Sequence, residues 1–164
     1  MPIYDPKTLE FFSRSPEQTR RIGMRLGGLA RVGDLICLDG DLGSGKTTLT
    51  QGIARGWGSL DPVTSPTFVL VNEYARPDGS TLYHFDAYRL SGSLDAEDLD
   101  IDYMLARGCL VVEWPERVRE ALPKECIWVA MRWISDERRG LVITSSGTRY
   151  GEFLSEFRQK TFGG

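Results

Sequence analysis

The chain has 164 residues, 41% of them hydrophobic and 26% charged, which suits one domain with its own core and excludes a disordered or low-complexity chain. Its net charge is −3, with sixteen arginines against four lysines, so tight binding of nucleic acid through the chain's own phosphate contacts is disfavoured. No signal-peptide pattern opens the chain and no apolar run approaches the roughly 20 residues of a membrane helix, so a cytoplasmic protein is expected.

In chain order, Ser15-Pro16-Glu17-Gln18 reads as a helix start, with Ser15 as N-cap, Pro16 in the first turn and Gln18 reaching back as in a capping box. Ile22, Leu26, Leu29 and Ala30 then recur at helical spacing, and Gly33 is expected to end the element. Leu35 to Leu38 is a short apolar run of the kind that makes a strand buried on both faces. A second helix is expected from about Lys46 to Arg55, with Gly56 and Gly58 as stop signals. Asp61 to Thr67 reads as a loop. Phe68 to Tyr74 and Thr81 to Tyr88 read as strands around the turn Pro77-Asp78-Gly79.

An acidic helical stretch follows, Leu94 to Arg107, with Leu94, Leu99, Ile101, Met104 and Leu105 as its apolar contacts and Gly108 as its breaker. Cys109 to Val112 is a second buried-type strand, and it delivers Glu113. Ile127 to Trp133 and Leu141 to Ser145 are further strands joined across the charged turn Asp136 to Gly140. Tyr150 to Arg158 is a terminal helix packing Phe153, Leu154 and Phe157. The expected fold is a single α/β domain over residues 1–164, P-loop NTPase-like, with a mostly parallel central sheet, flanking helices and an antiparallel hairpin or edge. Cys37, Cys109 and Cys126 lie in apolar runs without CxxC spacing, which reads as buried structural thiols rather than a metal site or a disulfide set.

The segment Gly40-Asp41-Leu42-Gly43-Ser44-Gly45-Lys46-Thr47 fits G-x-x-x-x-G-K-[ST] without a mismatch. Glycines let backbone N–H groups approach phosphate oxygens without a Cβ in the way, and the helix that follows turns its positive end toward the same anion. Lys46 is positioned to reach the β- and γ-phosphates, and the Thr47 hydroxyl is a hard oxygen ligand for Mg²⁺. The flanking pattern, a buried strand ending at Asp39 and a helix beginning at Lys46, is the context this loop requires. No NKxD or DxxG element accompanies it, which disfavours GTP, so ATP with Mg²⁺ is the expected ligand.

Three further segments bear on function. Thr64-Ser65-Pro66-Thr67-Phe68 is a polar loop closing into a strand, and a plain turn explains it equally well. His84-Phe85-Asp86-Ala87-Tyr88-Arg89 sets His84, Asp86 and Tyr88 on one face of a strand, which an ordinary half-exposed strand would also do. Val111-Val112-Glu113-Trp114-Pro115 is a buried strand whose carboxylate emerges at its C-terminal end, where the metal-binding acid of an open α/β sheet belongs.

Taken together and in this order, Gly40 to Thr48, Ser65-Pro66-Thr67-Phe68, His84-Phe85-Asp86-x-Tyr88-Arg89 and Glu113-Trp114-Pro115-Glu116 resemble the TsaE (YjeE) family. These are bacterial ATPases required for threonylcarbamoyladenosine modification of tRNA. The resemblance runs from Ser15 to Glu116, with a looser C-terminal third whose match rests on a basic position near Arg138. Ser44 stands where the family often has alanine.

The resemblance implies a P-loop domain that hydrolyses ATP slowly alone and works with the TsaB and TsaD proteins, meeting tRNA through them. It implies that Gly43, Ser44, Gly45, Lys46, Thr47 and Thr48 bind phosphates, that Thr47 and Glu113 hold Mg²⁺, and that Lys46, Asp86 and Glu113 serve catalysis. It further implies that Thr67 belongs to a switch near the γ-phosphate, that Trp114 lies by the nucleotide, and that Ser15 to Thr19 helps hold adenine. Arg89 belongs to the motif without an assigned role. Two other readings stay open from the residues: a small-molecule kinase, and a regulatory binder whose ATP-bound state is what matters.

Overall fold

The computed structural model describes residues 5–63, 71–88 and 99–163. Its strands are β1 (Thr8–Ser13), β2 (Leu35–Asp39), β3 (Val71–Ala75), β4 (Thr81–Asp86), β5 (Gly108–Glu113), β6 (Ile127–Trp133) and β7 (Arg139–Ser145). Its helices are α1 (Pro16–Leu29), α2 (Lys46–Trp57), α3 (Ile101–Arg107) and α4 (Thr148–Phe162), with short 3-10 turns at Pro115–Arg117 and Arg119–Ala121. The strands make one sheet in the order β1-β7-β6-β2-β5-β4-β3. The four central strands β6, β2, β5 and β4 run parallel, while β1 and β7 at one side and β3 at the other pair antiparallel. The mixed α/β fold with a parallel centre is the one expected.

The apolar runs become the buried centre. Leu35 to Leu38 is flanked by β5 and β6, and every residue of β5 is buried. One face of the sheet packs Ile36, Leu38 and Val111 against Leu26 of α1, Leu49 and Ile53 of α2, and Phe153 and Phe157 of α4. The other face packs Leu35, Phe85, Leu110 and Val112 against Ile101 and Met104 of α3 and against Val118. Each large side chain fully buried in this way contributes about 1.5–3 kcal/mol.

Several boundaries differ from the sequence reading. Helix α2 runs through Gly56 to Trp57 and is closed by Gly58 alone, the Leu99 and Asp100 positions lie outside α3, with Asp100 as its N-cap, and β7 begins at Arg139 rather than Leu141. β1 was not expected: Leu9 and Phe11 point inward while Glu10 and Phe12 point out, and its partner is β7, more than a hundred residues away. Helix α1 stops at Leu29 rather than at Gly33. Ala30 is already extended, its N–H closing the helix on the Leu26 carbonyl, and Gly33 instead makes the positive-φ turn into β2. β4 ends at Asp86, so Tyr88 is off the strand and exposed, and β4 itself is buried rather than half-exposed. Helix α4 spans Thr148–Phe162, longer at both ends than Tyr150 to Arg158. The segment 64–70, with Ser65, Thr67 and Phe68, and the segment 89–98, with Arg89 and Leu94, lie outside the described residues.

Helices α1 and α2 cross at backbone contact. A Cβ on Gly27 would stand 2.0 Å from the Ile53 carbonyl oxygen, and one on Gly56 would stand 2.0 Å from that of Met24. Gly23 and Gly52 are equally tight, at 2.3 Å from the Leu49 carbonyl and 2.1 Å from the Arg20 carbonyl. This glycine seam holds α2, and with it the loop that precedes α2, in a fixed position on the sheet.

Candidate functional site

The glycine loop bridges the C-terminal end of β2 and the N-terminus of α2. Gly40, Gly43 and Gly45 all take positive φ, and Gly45 is the left-handed N-cap of α2. At Gly43 there is open space where a Cβ would go, and Asp41 and Leu42 are exposed at the loop tip. Ser44 turns inward: its Oγ is buried without a partner among the described residues, under the position a Gly40 Cβ would occupy. Thr47 and Thr48 sit half-buried in the first turn of α2.

Lys46 folds back under the loop. Its ammonium donates to the Gly40 carbonyl and stands 3.9 Å from the centroid of the Trp114 ring. Burial holds the Lys46 amine below its usual range, against the opposing pull of the Glu113, Asp86, Glu116 and Asp39 carboxylates. A buried cation in the field of several carboxylates is a positive charge that water screens little.

Those carboxylates come from adjacent strand ends. Asp86 of β4 and Glu113 of β5 are register partners, so their side chains leave the sheet on the same face. Asp86 is half-buried, and burial raises its carboxyl above the ordinary range, while the Tyr88 N–H that Oδ1 accepts at 2.9 Å opposes this. The Glu113 carboxylate lies 2.6 Å from the Nε2 of His84, a wholly buried side chain two residues before Asp86 on the same face. An N–H on Nε2 donating to the carboxylate fixes both the histidine tautomer and the direction in which Glu113 points.

Trp114 reaches Lys46 because the chain turns sharply after Glu113. Its φ is 56°, a left-handed conformation that costs a residue of this size about 1–3 kcal/mol. Its N–H donates to the Leu38 carbonyl across β2, and its ring also meets Tyr88 at 5.0 Å. Strained backbone of this kind persists where the surroundings over-determine it, and it clusters at functional sites.

Of the residues singled out from sequence, Lys46, Asp86, Glu113 and Trp114 therefore converge, together with the loop Gly43-Ser44-Gly45 and Thr47. Thr67 lies outside the described residues. The hydroxyls of the Ser15–Thr19 segment are engaged locally: Ser15 Oγ accepts from the Gln18 N–H and Thr19 pairs with Ser13 at 2.6 Å. The capping box is present in a variant form, with Gln18 Oε1 accepting from the Arg14 N–H.

Sequence reasoning left two participants without a role. His84 was visible in the motif, but its pairing with Glu113 depends on strand register. The basic position flagged near Arg138 resolves into two residues: Arg138 is exposed in the β6–β7 turn, and its neighbour Arg139 is the one whose side chain lies against Gly45. Arg139 Nη1 donates to the Ser135 carbonyl at 2.7 Å, and Nε is buried without a partner among the described residues.

The chain is similar to known proteins over most of its length. Residues 13–141 match the family model described as threonylcarbamoyl adenosine biosynthesis protein TsaE. A Bacillus subtilis protein named tRNA threonylcarbamoyladenosine biosynthesis protein TsaE is 40% identical over 152 residues, covering 92% of this chain and 93% of its own. A Streptomyces coelicolor protein of the same name is 45% identical over 137 residues, covering 80% and 93%. The crystal structure of Bacillus subtilis YdiB superposes with a TM-score of 0.78 at 32% identity, over 94% of this chain and 96% of that one.

Proposed function

The chain belongs to the TsaE family, and from that membership we propose that it is the ATP-binding and ATP-hydrolysing member of the machinery that makes threonylcarbamoyladenosine in tRNA. The role in tRNA modification follows from relatives that carry that name and share 36–45% identity with it. Kinship gives no support to the small-molecule kinase reading. The observation that carries the nucleotide part is the desolvated Lys46 ammonium, held between the glycine loop and Trp114 and faced by the carboxylates of Asp86 and Glu113.

The residues fit a magnesium nucleotide. The loop has positive-φ glycines, open space at Gly43 and an unpartnered buried hydroxyl on Ser44, which suits a phosphate oxygen as acceptor. Thr47 and Glu113 are a hydroxyl and a carboxylate, the sparse oxygen set that Mg²⁺ takes when phosphates and water complete its shell. When bound, the ion supplies positive charge against the phosphate oxygens.

The chain's own residues then have distinct tasks. Backbone N–H groups of residues 43–48 and Lys46 hold the phosphates and offset charge that builds in the transition state. His84 keeps Glu113 aimed at the metal position. Asp86 orients the attacking water or supports the metal shell. Trp114 limits how much water reaches Lys46, which keeps its charge strong.

Replacing Glu113 by alanine is expected to weaken ATP binding roughly tenfold in magnesium and to leave binding in EDTA nearly unchanged; titration with a fluorescent nucleotide in both buffers reads this out. Equal losses in the two buffers would remove Glu113 from the metal shell.

Partner docking completes the site in this proposal, with TsaB and TsaD as the partners and tRNA reached through them. P-loop enzymes draw much of their rate from a water-positioning group and an arginine at the transition state, sometimes supplied in trans. Turnover by the isolated chain should therefore be slow, and should rise by at least about tenfold when purified TsaB, TsaD and tRNA are added. Absence of ATP binding would overturn the proposal, and stimulation by a small phosphoacceptor in place of the partners would move it to the kinase class.

A further inference from the structure

Two of the three cysteines meet on the sheet face remote from α1, α2 and α4. Cys37 is in the middle of β2 and Cys126 immediately precedes β6. The β2–β6 register sets Cys37 opposite Trp128, so Cys126 stands two residues back along the neighbouring strand, on the same face. The two thiols are hydrogen-bonded to each other. Both border a single cavity of about 720 Å³ whose walls also include Arg119, Leu122, Lys124 and Trp128. The cavity gives a small polar reagent a route to sulfurs that would otherwise be sealed in the core.

The two sulfurs are not equivalent. Cys126 is 7% exposed and Cys37 1%. The hydrogen bond from Cys37 holds the Cys126 thiol below its usual range, helped by the Ser146 hydroxyl and the Arg119 guanidinium, while burial opposes them. The same bond and burial push the Cys37 thiol up. Cys126 thus carries the more nucleophilic sulfur and Cys37 the proton beside it. Cys109, on the other face of the sheet, is wholly buried, and burial pushes its thiol far up, which makes it an internal control.

We propose that Cys126 and Cys37 are a modification site for hydroperoxides, with Cys126 as the sulfur that is oxidised first and Cys37 as the thiol that resolves it to a disulfide. The Cys126 thiolate attacks one peroxide oxygen; the S–O bond forms, the O–O bond breaks, and the departing hydroxide leaves as water after taking up a proton. The Cys37 sulfur then attacks the sulfenic sulfur; the S–S bond forms, the S–O bond breaks, and the Cys37 proton leaves with the oxygen as a second water. Two thiols lose two electrons and one hydrogen peroxide becomes two waters. Closing the bond to about 2 Å falls to rotation of the two side chains, because the Cys126 backbone is held by Ser146 at both its N–H and its carbonyl.

The test uses the full chain, hydrogen peroxide and peptide mapping after alkylation. In the native, reduced protein Cys126 should alkylate at least roughly tenfold faster than Cys109. Peroxide at low molar excess should then produce a Cys37–Cys126 linked peptide that dithiothreitol releases, with Cys109 still a free thiol. In Cys37→Ser, Cys126 should be caught as a sulfenic acid by dimedone. Cys126 that alkylates no faster than Cys109, oxidation that stops at Cys126 without linkage, or a disulfide that includes Cys109 would each overturn the proposal. The wild-type map alone decides the matter if the serine variant does not fold.

Discussion

Alanine in place of Lys46 is expected to weaken ATP binding by roughly 100-fold or more, the largest effect of any single substitution in the loop. Hydrogen bonds to charged groups contribute about 1.5–3 kcal/mol each, and every 1.4 kcal/mol or so is a tenfold change in affinity. Loss of one or two such bonds to phosphate therefore reaches that range. Lys46 is also partly desolvated in advance, between the Gly40 carbonyl and the Trp114 ring, so its charge acts in a medium less screened than water. The carboxylates of Asp86 and Glu113 add to the effect, because without the ammonium they repel an incoming polyphosphate. Calorimetric titration with ATP measures the change, and thermal unfolding of the nucleotide-free variant checks that the fold is still intact. An affinity within about threefold of wild type would show that the backbone cradle alone does the binding.

The loop was legible in the sequence because its chemistry is contiguous. Eight consecutive residues state the pattern, and the apolar run before it and the helix after it are local as well. The parallel centre of the sheet followed from Leu35 to Leu38 and Cys109 to Val112, runs too apolar to face water on either side. What escaped was non-local. β1 has only six residues and one inward pair, Leu9 and Phe11, and its identity as a strand depends on β7 at the far end of the chain. Gly33 looked like a helix stop because glycine often is one, yet Ala30 had already left the helix and Gly33 serves the next turn.

The same distinction holds at the site. Glu113 could be read as a strand-end acid from its own segment, whereas its partner His84 is a matter of register between β4 and β5. Gly56 read as a stop signal, yet with Gly23, Gly27 and Gly52 it forms the surface at which α1 and α2 touch, a role that depends on how two helices cross. Trp114 drew notice as part of a motif. Its left-handed backbone, which swings the ring over Lys46, has no signature in a single residue identity.

Asparagine in place of Asp86 is expected to lower ATP turnover about 100-fold while changing ATP affinity by no more than about threefold. The substitution keeps nearly every atom: the Asn side-chain oxygen can still accept the Tyr88 N–H that Asp86 Oδ1 accepts at 2.9 Å, so the turn after β4 survives. What disappears is the negative charge and the capacity to take a proton. That charge stands level with Glu113 on the adjacent strand, in surroundings dry enough to raise its carboxyl above the ordinary range. A base or water-orienting group acts on the reacting centre more than on the bound ground state, so its loss falls on kcat. Single-turnover hydrolysis with protein in excess, beside a binding titration, separates the two quantities. Asp86→Ala serves as contrast, since it removes the hydrogen bond to Tyr88 as well and should cost folding stability that the asparagine variant keeps. Parallel losses of affinity and turnover in Asp86→Asn, or turnover left intact, would reduce Asp86 to the residue that caps the turn after β4.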